Sequence, residues 1–192
     1  DVIDGGYGDD LIDGGDGNDM LTDMSGTNIF KGGLGDDSIT GRGSFEGGKG
    51  NDLLRSYDGW SGDTYLFNLG DGKDTIADYG VSNAMGYVGQ LDDALKFGAG
   101  IAANQLWFRQ AANDLEISII GTADKATVRD WYLGSQYRVE QIKSGDGKLL
   151  QDSQVDKLVQ AMAAFTPPAM GQTSLSAAQQ TALAPVLAAS WH

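Results

Sequence analysis

Gly5-Gly6-Tyr7-Gly8-Asp9-Asp10-Leu11-Ile12-Asp13 runs directly into Gly14-Gly15-Asp16-Gly17-Asn18-Asp19-Met20-Leu21-Thr22, and both segments share one frame. Residues 32–40 and 47–55 repeat it, so four copies read G-G-x-G-x-D-x-U-x, with U large and apolar. Residues 23–31 keep the length but carry Asn28 at the acid position, and 58–66 and 69–77 are looser copies that retain Asp63 and Asp74. Asp1 fits the acid position of a truncated copy, with Ile3 as its apolar residue. A chain that opens inside a repeat in this way reads as part of something longer. A fixed short period signals stacked units, none of which can bury a core alone.

Each part of the unit has a physical task. The glycines permit positive φ and a tight turn whose carbonyls point to one side. The x-U-x triplet is a short strand with its middle side chain inward, here Ile12, Leu21, Phe30, Ile39, Leu54, Tyr65 and Ile76. Two units make one coil of a parallel helix, and stacked coils enclose a thin apolar core. Hard cations take oxygen ligands, so rows of Asp carboxylates and turn carbonyls suit Ca²⁺. A disordered acidic linker is the competing reading. Four copies in register argue against it.

Composition narrows the function classes. The 192 residues hold 13 basic and 27 acidic side chains, a formal charge of −14, which repels nucleic acid and anionic membranes. There is no cysteine, so no disulfide, thiolate nucleophile or thiolate metal site is available. The one histidine, His192, excludes His-rich zinc sites and leaves Ser-His-Asp chemistry without a base. These absences make catalysis by this chain improbable, and the expectation is a non-enzyme. Residues 1–78 carry 17 acidic and 5 basic residues, and 15 of the 29 glycines fall between Gly5 and Gly50. The compositional boundary lies near Asp78.

Gly5 to Ala77 resembles the β-roll of repeats-in-toxin (RTX) proteins, which Gram-negative type I secretion systems export. The resemblance implies that repeats i and i+2 stack with Ca²⁺ between them. The earlier turn would give the carbonyls of its second and fourth residues plus its Asp. The later turn would give the carbonyls of its first and third residues plus its own Asp. The even copies, 14–22, 32–40, 47–55 and 69–77, then hold Asp19, Asp37, Asp52 and Asp74. The odd copies, 5–13, 23–31, a shortened 41–46 and 58–66, read Asp10, Asn28, Gly43 and Asp63 at that position. Asn and Gly replace a carboxylate poorly, so calcium is expected mainly on the even side. The best sites would pair Gly15, Gly17 and Asp19 with Gly32, Leu34 and Asp37, and Gly33, Gly35 and Asp37 with Gly47, Lys49 and Asp52. Gly48, Gly50 and Asp74 extend this row, and Asp10 and Asp63 are the odd-side candidates.

After Asp78 the pattern turns to longer strands at 94–97, 105–109, 114–120, 126–128 and 137–143, separated by Gly, Asn and Asp turns. Leu95 to Ile101, Leu106 to Arg109 and Val128 to Tyr132 resemble the region that follows many RTX arrays. Trp107, Phe108, Trp131 and Tyr132 read as packing for a cap rather than as a sugar platform. A cap is required because the last coil otherwise ends in an open edge. Residues 153–165 have helical spacing at Val155, Leu158, Val159 and Met162, and 176–189 form a second Ala-rich candidate interrupted by Pro185. No charged residue occurs from Val159 to Trp191. The resemblance implies an uncleaved export signal there, in weakly structured sequence.

The expectation is therefore a mainly all-β chain in three parts. Residues 1–78 form a right-handed parallel β-roll, 79–151 a β-rich cap and 152–192 a short helical tail that carries the secretion signal. As a function, this implies a non-catalytic C-terminal calcium module of a larger secreted, extracellular or surface-bound RTX protein. Its partners would be a type I exporter and an upstream effector domain of the same chain. The alternative is a calcium-stabilised adhesive or glycan-binding module using Trp60 and other exposed aromatics.

Overall fold

The computed structural model describes residues 1–56, 62–79 and 92–192. Seven strands cover the repeats: β1 (Val2–Asp4), β2 (Leu11–Asp16), β3 (Met20–Leu34), β4 (Ser38–Lys49), β5 (Leu53–Ser56), β6 (Thr64–Phe67) and β7 (Lys73–Ala77). β3 and β4 each contain an even triplet, a turn and an odd triplet, so they cross from one face of the roll to the other.

On the even face the middle residues stack in the order Ile3, Leu21, Ile39, Leu54 and Ile76 through parallel pairing. On the odd face Ile12, Phe30, Phe45 and Tyr65 do the same. The seven side chains expected to point inward are all at most 3% exposed. Phe30, Phe45 and Tyr65 form a ring column with centroids 5.2 and 5.1 Å apart. Offset stacking of this kind adds about 0.5–1.5 kcal/mol per pair beyond burial. Strand triplets this short depend on such ladders for their stability.

Both faces continue across residue 78. β8 (Ala94–Phe97) pairs parallel with β6 and puts Leu95 beside Tyr65; β12 (Gln141–Lys143) adds Ile142 beside Leu95. On the other face β11 (Lys125–Val128) pairs parallel with β7 and sets Val128 beside Ile76. The compositional boundary is thus the loss of the nine-residue frame rather than of the ladder: Asp93 still precedes β8, Gly98 and Gly100 follow it, and each strand still supplies a buried apolar residue. The repeating ladder ends where pairing turns antiparallel. β10 (Asp114–Ile119) and β9 (Leu106–Ala111) close the even face, and β13 (Leu149–Gln151) closes the odd face.

Helix α1 (Asp152–Met162) packs on β9 and β13 through Val155, Leu158 and Met162, close to the expected helix. Trp107, Phe108 and Trp131 are at most 4% exposed and Tyr132 is half-buried, so they serve as cap packing. Trp60 lies outside the described residues. Helix α2 (Ala177–Ser190) continues past Pro185, where an interruption was expected. Ser176 and Gln179 form a capping box at its start, and Leu183 and Trp191 are buried, which offsets the one hydrogen bond that Pro185 cannot donate. His192 and Leu149 exchange two backbone hydrogen bonds of 2.9 and 2.8 Å, so the tail is docked rather than weakly structured.

Gly33 shows what the repeat demands of its turns. Its φ is +112°, and a methyl group there would sit 2.0 Å from the Gly15 carbonyl oxygen of the preceding coil. Gly6 has φ +95° but open space around it. Gly33→Ala should therefore destabilise the calcium-loaded chain by more than 2 kcal/mol, against ~1 kcal/mol of backbone strain for Gly6→Ala. Urea unfolding in excess calcium measures both, and equal costs would show that coils do not press this closely.

Candidate metal centre

The even acids form a ladder along the turns. The Asp19 N–H donates to Asp37 Oδ1 at 2.8 Å, that of Asp37 to Asp52 Oδ1 at 2.8 Å, and that of Asp52 to Asp74 Oδ1 at 3.1 Å. One oxygen of each acceptor is thereby satisfied. The Oδ2 atoms of Asp19, Asp37, Asp52 and Asp74 are buried and have no hydrogen-bond partner. Buried carboxylate oxygens without a partner are costly and require a counter-charge.

At the turns opening with Gly14 and Gly32, the two atoms nearest an added methyl group are oxygens, one carboxylate and one carbonyl. A methyl group on Gly14 would sit 2.7 Å from both Asp19 Oδ2 and the Gly32 carbonyl oxygen. One on Gly32 would sit 2.3 Å from both Asp37 Oδ2 and the Gly47 carbonyl oxygen. The acid of one turn and the first carbonyl of the next therefore converge on the same point. The Gly15, Gly17, Gly33 and Gly35 carbonyls in turn press against Gly33, Gly35, Gly48 and Gly50 of the following turn. The Leu34 and Lys49 carbonyls accept from Gly17 and Gly35 N–H groups at 2.8 Å, which leaves each a second lone pair. Carboxylates and carbonyls without nitrogen or sulfur suit a hard cation such as Ca²⁺.

Residues 1–22 and 23–54 match the family model of the RTX calcium-binding nonapeptide repeat (four copies), and 114–154 match that of the haemolysin-type calcium binding protein related domain. The chain carries RTX calcium-binding nonapeptide repeats. RTX nonapeptide repeats bind calcium ions, and in this roll the Oδ2 atoms of the even acids are buried without a hydrogen-bond partner. The chain is 31% identical over 100 residues to the iron-regulated protein FrpA of Neisseria meningitidis serogroup C. That match covers 50% of this chain and 8% of the relative, so the chain spans a small part of the curated relative it matches.

The odd turns of the RTX roll are built differently. Asn28 keeps the ladder, accepting the Asp10 N–H on Oδ1 at 2.9 Å, but its other atom, Nδ2, donates to the Ser25 carbonyl. A donor in that place repels a cation. The register sets Gly43 opposite Asn28, after a shift that absorbs the shortened copy. Asp63 is buried with both oxygens engaged, Oδ1 by the Gly43 N–H at 2.6 Å and Oδ2 by the Ser56 hydroxyl. Half-buried Asp10 keeps an unpartnered Oδ2.

Asp23 escaped the sequence reading. It is 1% exposed, its Oδ2 has no partner, and it stands where the repeat has its first glycine. The available signal was that very replacement of glycine by an acid.

Burial sets the electrostatics of the even row. Desolvation first, then neighbouring carboxylates, push Asp52 up to about 6 and Asp74 up to about 8, from an ordinary 3.8. Asp37 is raised for the same reasons, with Asp19 and Asp36 as its charged neighbours. Hydrogen bonds from the preceding coil act in the opposite direction and do not prevail.

Proposed function

We propose that this chain is the calcium-folded, non-catalytic module of a larger secreted RTX protein, and that its C-terminal tail directs type I export. RTX proteins are generally secreted from Gram-negative bacteria, and their calcium-binding repeat domains are generally non-catalytic. The observation that carries the reading is the row of buried, unpartnered Asp oxygens at the even turns. On this reading Gly15, Gly17, Asp19, Gly32, Leu34 and Asp37 hold one ion, and Gly33, Gly35, Asp37, Gly47, Lys49 and Asp52 hold the next. Asp74 closes the row, because Ala126 stands opposite it in the following coil.

The docked tail supports an order of events. Leu183 and Trp191 are buried and His192 is paired with Leu149, so an exporter reads the tail before the fold forms. In a low-calcium cytosol the charged turns stay open; outside, the ions fill them and the tail docks.

A chain ending at Phe165 tests this. It should lose export through a type I system yet keep its calcium stoichiometry. Its melting temperature should fall by several degrees, because Phe108 loses the Trp191 ring 6.2 Å away. Normal secretion of the shortened chain would remove the tail from the mechanism.

A further inference from the structure

We propose that Asp63, Asp78 and Asp93 form a separate calcium site where the roll passes into its cap. Their carboxylates each offer an oxygen, and these oxygens lie within 4.8 Å of one another. Asp63 offers its own through the lone pair left beside its Gly43 or Ser56 hydrogen bond. The three residues are 1%, 2% and 6% exposed. Asp78 faces the group with one oxygen fixed, Oδ1 accepting from the Tyr65 hydroxyl at 2.8 Å, while its buried Oδ2 has no hydrogen-bond partner. The other two acids are anchored from the backbone. Asp93 Oδ1 accepts the Asp63 N–H at 2.7 Å, and the Asp93 N–H donates to Glu140 Oε2 at 2.9 Å.

This arrangement is not a nonapeptide turn. Register places Asp63 and Asp93 at the acid position of successive odd coils, since Thr64 pairs with Ala94. Asp78 follows Ala77, which pairs with Arg55, so it stands opposite Ser56 at the first position of a turn, where the repeat carries glycine. An acid from a glycine position thus meets two acids from the ladder. Asp63, Asp78 and Asp93 all lie outside the residues that match the two family models.

Charge decides what the site takes. Three buried carboxylates this close repel one another strongly in a medium poorer than water. The Arg42 guanidinium acts on Asp63, but Glu140 adds a fourth carboxylate beside Asp78 and Asp93. The cluster keeps an excess of negative charge that calls for a cation, and all-oxygen donors select a hard one.

Native mass spectrometry in calcium compares the wild-type chain with Asp78→Asn, which removes the charge and keeps the shape. One fewer bound ion in the variant is expected; an unchanged count in a folded variant, as when the acids merely share protons, overturns the site. Anomalous difference maps from wild-type crystals grown in calcium provide a second measurement that does not depend on the variant folding. A peak among the three carboxylates is expected. Peaks in the even turns with none here overturn this site alone, whereas no peak anywhere overturns the calcium reading of the whole roll.

Discussion

Chelation with EGTA should abolish the strand signal of the roll and the hydrogen-exchange protection of β2 to β7. The first 78 residues carry 17 acidic against 5 basic side chains, and the even acids stack with their second oxygens buried. Like charges about 4 Å apart cost ~1 kcal/mol in water and ~4 kcal/mol near a protein surface. Each bound ion reverses that sign, and at a hundredfold excess over Kd a site contributes about 2.7 kcal/mol. Two such sites already approach the whole stability of an ordinary domain, about 5–15 kcal/mol. On the proposed function, calcium binding therefore supplies folding energy. Full protection surviving in EGTA would refute the switch.

The same chelated chain has a diagnostic pH dependence. Asp74 is raised to about 8 and Asp52 to about 6 in the fold, against 3.8 ordinarily. An acid whose folded pKa is raised binds protons more tightly folded than unfolded, so it destabilises the fold at high pH. That penalty shrinks as pH falls from about 8 and is gone near 4. Circular dichroism in EGTA should thus show strand signal returning on acidification. With calcium present the trend should reverse, since protons then compete with the ion. A chelated chain that recovers no strand signal on mild acidification would contradict the burial of these acids.

The second large effect concerns Asp37. On the proposed ligand sets it serves two ions, and its Oδ1 also accepts the Asp19 N–H. Asp37→Ala should shift the calcium midpoint of folding upward by tenfold or more, about 1.4 kcal/mol, and lower the stoichiometry. Asn28→Ala removes a comparable backbone hydrogen bond, from Asp10, worth ~1 kcal/mol, but no carboxylate. Its midpoint should move less than the tenfold shift of Asp37→Ala, with no change in stoichiometry. Equal midpoints in parallel titrations would end the distinction between even and odd turns.

The strand ladder was legible because burial there follows from a local period. Ile12, Leu21, Phe30, Ile39, Leu54, Tyr65 and Ile76 recur at the U position, and each can point only inward. The even acids were legible for the same reason. What stayed hidden lies beyond the period. β8, β11 and β12 extend the roll outside the nonapeptide frame, because parallel pairing needs only one apolar residue per coil and no fixed turn sequence. Pro185 looked like a break, yet long-range burial of Leu183 and Trp191 and the Ser176 cap carry the helix through it.

Sequence alone therefore determined the coil, its inward residues, the oxygen chemistry of its turns and the shortage of carboxylates among the odd ones. Each of these depends on residues within one or two repeats of each other. Only the tertiary structure decided which carboxylate oxygens lack a partner, where the roll ends and that Asp63, Asp78 and Asp93 meet. The carboxylate ladder and the three-acid cluster join residues 15 or more positions apart, and the strand register that brings them together comes from the packing of whole coils rather than from any local pattern.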